Sequence, residues 1–220
     1  MCQQALDACA ATNMTSRGIV MVDIRAGAYR LRVPDNWEVM HGECDMADCM
    51  RHVYYCWPDE ATYGWIADDM RPRTEGWDAV LEEGAGQWDI ATCRDMLFSE
   101  DRYSRNTVLC GAMCWGGELV RAVGWWAPNF CRQAGIDDTW KRLYADKCGR
   151  RFMYNNDVLV EHLHWRNRTR PKDETDNHER DGVHYIAQDF AAMQSYWGSQ
   201  EFGDIIARVQ RLAPAQEPVA

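Results

Sequence analysis

Hydrophobic positions along the first three quarters of the chain switch repeatedly between helical and strand spacing, and that switching predicts an α/β fold. Ala5, Leu6, Ala8 and Cys9 open a short helix, and Gly18-Ile19-Val20-Met21-Val22-Asp23 reads as a buried strand ending in a carboxylate. Trp37, Met40, Cys44, Ala47, Met50, Tyr54 and Trp57 return every three or four residues, which predicts one long helix stopped near Pro58. Tyr63 to Ala67 is a second short apolar run that passes directly into Asp68-Asp69. Trp88 to Cys93 predicts a strand, Glu118 to Val123 a short helix, and Asp138 to Lys147 an amphipathic helix stopped by Gly149. Arg151 to Tyr154 and Val158 to His164 read as two strands joined by a turn at Asn155-Asn156-Asp157. Residues 166–182 are almost wholly polar and predict a mobile loop, after which helical patterns cover about 183–198 and 201–212. The expected organisation is a single unit, with residues 1–165 forming its core and 166–220 adding the loop and helices packed upon it.

Composition narrows the class. A chain of 220 residues with 46% hydrophobic content has enough apolar surface for one sizeable core. No stretch approaches the roughly 20 apolar residues of a membrane helix, and Met1-Cys2-Gln3-Gln4 lacks the basic-then-apolar layout of a secretion signal, so the expectation is a cytoplasmic protein without a membrane partner. In that setting the ten cysteines are expected as reduced thiols, acting mostly as small buried hydrophobes. A net charge of -10 argues against a surface built wholly for nucleic acid, which is held chiefly by Lys and Arg. The 11 tryptophans suit a packed core and also stacking on sugar rings or bases; core packing accounts for most of them.

Three groups of residues carry candidate chemistry. Asp68-Asp69 stands at the end of a predicted strand, where open α/β sheets bind ligands, and paired carboxylates suit a hard divalent cation shared with substrate phosphates. A solvated turn accounts for the same two residues. In Glu161-His162-Leu163-His164, strand alternation sends both imidazoles to one face, where either can ligate a metal or serve as a structural histidine. Ile136-Asp137-Asp138-Thr139-Trp140 opens a helix, so a carboxylate there either caps the helix or acts as a general base.

The segment Gly64-Trp65-Ile66-Ala67-Asp68-Asp69-Met70-Arg71-Pro72-Arg73-Thr74-Glu75-Gly76-Trp77-Asp78 resembles the metal-binding strand end of GT-A glycosyltransferases, in the family-2-like group of phages and bacteria. The resemblance continues through Gly111-Ala112-Met113, Ala122-Val123-Gly124, Ala127-Pro128, Asp137 to Trp140, Tyr154, Asp157 and Glu161 to His164, covering roughly residues 19–175. It implies a Rossmann-like mixed sheet flanked by helices. The chain departs from the pattern in lacking the usual first strand, because Met1 falls at the first helix.

The resemblance further implies a nucleotide-sugar donor, a UDP-sugar above all, and Mn²⁺ or Mg²⁺. Asp69 becomes the principal metal carboxylate, and Asp68 contacts the donor ribose or the metal. His164, ahead of His162, completes the metal shell. Asp137, with Asp138 in reserve, becomes the base of an inverting transfer; Asp23 reads the donor base, and Arg71 and Arg73 hold diphosphate oxygens. The acceptor stays open among glycan, small molecule, protein and modified DNA, the last drawing on the basic run Arg166, Arg168, Arg170 and Lys172. Two alternatives remain beside this reading. One is a catalytically degenerate GT-A fold that binds or scaffolds. The other is a nucleotidyltransferase, which also uses strand-end acids and a divalent metal.

Overall fold

The computed structural model describes residues 2–23, 30–42, 45–96, 112–132, 134–163 and 183–216, the last segment in backbone only for residues 183–185. Helix α1 (Cys2–Ala11) leads into β1 (Gly18–Asp23), followed by β2 (Trp37–Gly42), α2 (Met46–Cys56), β3 (Thr62–Ile66) and the short β4 (Met70–Pro72). Next come α3 (Trp77–Ala85), β5 (Ile90–Asp95), β6 (Ala112–Gly116), α4 (Gly117–Val123) and α5 (Ile136–Lys141). A π-helical turn at Arg142–Lys147 precedes β7 (Met153–His162), and α6 (Val183–Trp197) and α7 (Gln200–Leu212) follow.

The strands form two sheets. β1 and β2 pair in parallel, and a five-stranded mixed sheet has the order β3-β6-β5-β7-β4. In the larger sheet β6 is antiparallel to both β3 and β5, whereas β5 and β7 are parallel. β3, β5 and β7 therefore run the same way, and their carboxyl ends share one edge of the sheet. β4 returns antiparallel along β7, which sets Met70 opposite His162. The site is assembled by this topology. Among the described residues β1 and β3 do not pair with each other, so each is an edge strand of its own sheet.

Alternation along the strands divides the core. Tyr63, Ile90, Met113 and Trp115 face a layer containing residues of α2, α4, α5, the π-helical turn and α7, including Trp140, Leu143, Phe202 and Val209. Ala91, Cys93, Ala112, Cys114, Val158 and Val160 face Trp77, Leu81 and Ala85 of α3 and Cys9 of α1. With helices on both sides, β6 is buried at every position, which explains its unbroken apolar sequence. Tyr63, Trp126, Trp115, Trp140 and Trp125 form a chain of ring contacts with centroids 5.1–6.1 Å apart. Such pairs add about 0.5–1.5 kcal/mol each beyond area burial, so these tryptophans act as core. The described cysteines carry free thiols, and burial pushes those of Cys9, Cys114 and Cys131 up to about 12.

Two local readings of the sequence need correction. The helical period assigned from Trp37 to Trp57 spans two elements, strand β2 and then α2. The three-residue spacing of Trp37 and Met40 fits a helix, but Trp37 and Val39 share one face of a strand, the segment gains a parallel ladder with β1, and the indole of Trp37 fills the space beside Gly18. Asp45 then starts α2 with a reciprocal capping box to Asp48. Residues 151–163 do not make a hairpin. Met153 and His162 bound one strand, and both halves pair in parallel with β5. Asn155-Asn156-Asp157 forms an irregularity in that strand instead, with Asn155 Oδ1 accepting from the amides of Asp157 (2.8 Å) and Val158 (3.1 Å). The register consequently steps from Cys93↔Asn155 to Arg94↔Leu159. Without that step, Asp95 would stand opposite a different part of β7.

Candidate functional site

Three of the strand ends described above supply the site. Asp69 lies in the tight connection between β3 and β4, and its carbonyl accepts from the Leu163 amide at 2.8 Å, tying that connection to the end of β7. The backbone bond brings the Asp69 side chain to His162, with Oδ2 3.1 Å from Nε2. On the other side of the ring, Nδ1 stands 2.9 Å from Asp95 Oδ2. In the β5–β7 register Asp95 pairs with Val160, so His162, two residues further, projects from the same face. The imidazole is thus held between two carboxylates remote in sequence.

Burial makes this arrangement consequential. Asp95 is 0% exposed, and an ionised carboxylate so placed is costly unless a partner and hydrogen bonds compensate. Burial of His162 would by itself lower its pKa; the hydrogen bonds it donates to Asp69 and Asp95, and then their charges, outweigh that and push it up to about 10. His162 is therefore held as a cation at neutral pH between the two acids.

The sign of the resulting pH dependence follows. His162 has a folded-state pKa above its ordinary value of 6.5, so its stabilising contribution is complete below about 6.5 and is lost as pH rises towards about 10. We expect His162→Ala in EDTA to be less stable than the parent chain at pH 6, with the gap narrowing progressively up to pH 10. Urea unfolding over a pH series measures this, and a gap that widens with pH refutes the charged arrangement.

The other candidate residues are placed as follows. Asp68 is exposed, and its charge, after burial, helps raise the Cys2 thiol at the start of α1. Asp23 ends β1 opposite Gly42 in the smaller sheet. Arg71 and Glu161 are cross-strand neighbours on the face alternate to Met70 and His162. Arg71 bonds Gln4 and lies 4.0 Å from Glu161, and Arg73 bonds Glu161 directly. Asp137 and Asp138 occupy the first turn of α5, with no hydrogen bond to Asp69 or His162 among the described residues. His164 lies outside the described residues, as do Arg166, Arg168, Arg170 and Lys172.

The helix-cap reading of Asp137 and Asp138 does not hold. The N-cap of α5 is Gly135 at φ +82°, a left-handed conformation that favours glycine, and its carbonyl accepts from both the amide and the hydroxyl of Thr139. The two acids follow inside the first turn. Burial, then the charge of Asp137, raises the Asp138 carboxyl above its ordinary value.

Asp95 was not found by sequence reasoning. The predicted strand ended at Cys93, whereas β5 continues to Asp95 and delivers an acid at its carboxyl end just as the Asp68-Asp69 segment does. The available signal was that repetition of apolar run and terminal acid, obscured by the intervening Arg94.

Among the described residues, no group of three or more His, Cys, Asp and Glu side chains is arranged to hold a metal ion. The Asp69–His162 pair nevertheless has the chemistry of a partial ligand set. Octahedral ions such as Mg²⁺ hold ligands at about 2.1 Å, which leaves adjacent ligands roughly 3 Å apart. The separation of Oδ2 and Nε2 fits that edge. Such ions commonly use one or two protein carboxylates and complete their shell with phosphate and water. No described helix is long and apolar enough to cross a membrane. No protein-family model matches the chain, and no curated protein matches it at a significant level.

Proposed function

We propose that the chain is a metal-dependent glycosyltransferase of the GT-A type, inverting in stereochemistry, that moves a sugar from a nucleotide diphosphate to a hydroxyl acceptor. The observation that carries the reading is the meeting of Asp69 and His162 at the carboxyl ends of a mixed α/β sheet. Asp69 and His162 would hold the divalent ion, Mn²⁺ or Mg²⁺. When bound, the ion supplies Lewis-acid neutralisation of the charge developing on the leaving diphosphate. Asp68, beside it, is assigned to the donor ribose, and Asp23 to the base.

Asp137 is assigned to take the proton from the acceptor hydroxyl as that oxygen attacks the sugar carbon opposite the leaving group. Arg71 and Arg73 are assigned to diphosphate oxygens, and Glu161 holds both arginines until a donor displaces it. One observation favours a second reading, a GT-A-like fold that binds without catalysis: β1 and β3 are not joined by a ladder among the described residues, so Asp23 and the strand that leads to Asp68 belong to separate sheets.

A panel of nucleotide sugars tested by thermal shift with Mn²⁺ checks donor binding, because a ligand of the folded state alone stabilises it by mass action. At 100 times its Kd a donor is expected to add about 2.7 kcal/mol, dependent on the ion. A flat panel sinks the nucleotide-sugar reading. If a donor binds, release of free sugar or transfer to water with and without Mn²⁺ separates the enzyme from the binding protein.

A further inference from the structure

We propose that Asp95 is the positioning residue of this site: it accepts a hydrogen bond from His162 Nδ1–H and thereby keeps Nε2 directed at Asp69 as the ion-binding nitrogen. The inference rests on the metal-site reading above and assigns a role to a side chain that the transfer chemistry does not touch.

Geometry and burial converge on it. The Nδ1–Oδ2 distance of 2.9 Å is that of a well-formed charge-assisted bond. Asp95 belongs to β5 and His162 to β7, and the two strands are locked beside this pair by the Asp95↔Val160 register and the Met96 amide bond to the Val160 carbonyl at 3.0 Å. Neither side chain depends on a loop for its placement. The environment is apolar, with Cys93, Val158 and Val160 all 0% exposed, and an aliphatic residue would be the cheaper occupant for packing alone. A carboxylate at this point has a ring nitrogen to orient.

The chemistry explains why orientation matters. A neutral imidazole carries one N–H and one lone pair, and the partner of the first nitrogen decides which nitrogen presents the lone pair. When an ion displaces the Nε2 proton to solvent, Nδ1–H stays committed to Asp95 and the lone pair falls on Nε2, the ring atom beside Asp69. A carboxylate behind the ring also increases the basicity of the ligating nitrogen, and loss of such a partner typically weakens metal binding by about 10- to 100-fold.

Two measurements test this. In ¹⁵N-histidine-labelled parent protein titrated with Mg²⁺, long-range ¹H–¹⁵N spectra are expected to show His162 Nδ1 protonated with and without the ion and Nε2 unprotonated once the ion is bound. Calorimetric titration with Mn²⁺ is expected to show Asp95→Asn, which keeps an acceptor oxygen, weakened less than Asp95→Leu, the latter by roughly 10- to 100-fold. A proton on Nε2 with Nδ1 bare in the ion-bound parent protein overturns the proposal without relying on any variant. Unchanged Mn²⁺ affinity in both Asp95 variants, alongside loss in Asp69→Ala and His162→Ala, overturns the role of Asp95 and leaves the metal site standing. Unchanged affinity in Asp69→Ala and His162→Ala overturns both readings.

Discussion

Replacing Asp69 with alanine is expected to abolish Mn²⁺ binding at this site while leaving the fold intact. Asp69 and His162 stand 3.1 Å apart and are the two donors of the proposed site, so the substitution removes half of that proposed ligand set. The loss in affinity should exceed the roughly 10- to 100-fold expected from removing a ligand's supporting partner. The fold survives because the side chain is partly exposed, whereas the tie between β4 and β7 runs through the Asp69 carbonyl, which alanine retains. His162 keeps Asp95 as a partner. One charge-assisted hydrogen bond is lost, worth about 1.5–3 kcal/mol, and only at pH values where the imidazolium persists. Calorimetric Mn²⁺ titration with a parallel urea melt reads both quantities. Parent-like Mn²⁺ affinity in Asp69→Ala would remove the centre of the proposed function.

The second large effect is expected at Asp137. Asparagine in its place preserves the shape of the first turn of α5, whose cap is formed by Gly135 and is untouched by the change. Stability should change only by the charge–dipole contribution of one first-turn acid, about 0.3–1 kcal/mol. Transfer, by contrast, is expected to fall by roughly 10²- to 10⁴-fold, because the carboxamide cannot take the acceptor's proton. Donor affinity should be nearly unchanged. Single-turnover transfer and equilibrium donor binding, measured on one preparation, separate the two quantities. Full activity in Asp137→Asn refutes the assignment, and loss in Asp138→Asn instead moves the base by one residue.

Sequence alone determined the α/β class, the strands ending at Asp23 and before Asp68-Asp69, the paired C-terminal helices and the packing of most described tryptophans in or against the core. Each rests on interactions near in sequence or on a period set by one chain segment. Gly18–Asp23 needs only a covered face to behave as a strand, and Gln200–Leu212 only its apolar stripe to dock on the core. The acidic pair and the histidine run were legible as chemical groups for the same reason.

Tertiary structure decided which of those groups meet. Trp37 and Met40 are spaced as on a helix face while Trp37 and Val39 alternate as in a strand, and pairing with β1 selects the strand. Asn155-Asn156-Asp157 has the composition of a hairpin turn, yet both flanking segments bond to β5 in parallel, so the chain continues forward and turns its irregularity into a register step. That step, together with the return of β4 along β7, places Asp95 and Asp69 on opposite sides of one imidazole. His162 is 67 residues from one acid and 93 from the other. No local period carries information over such distances; it resides in the ladder hydrogen bonds between strands, which exist only once the sheet has formed.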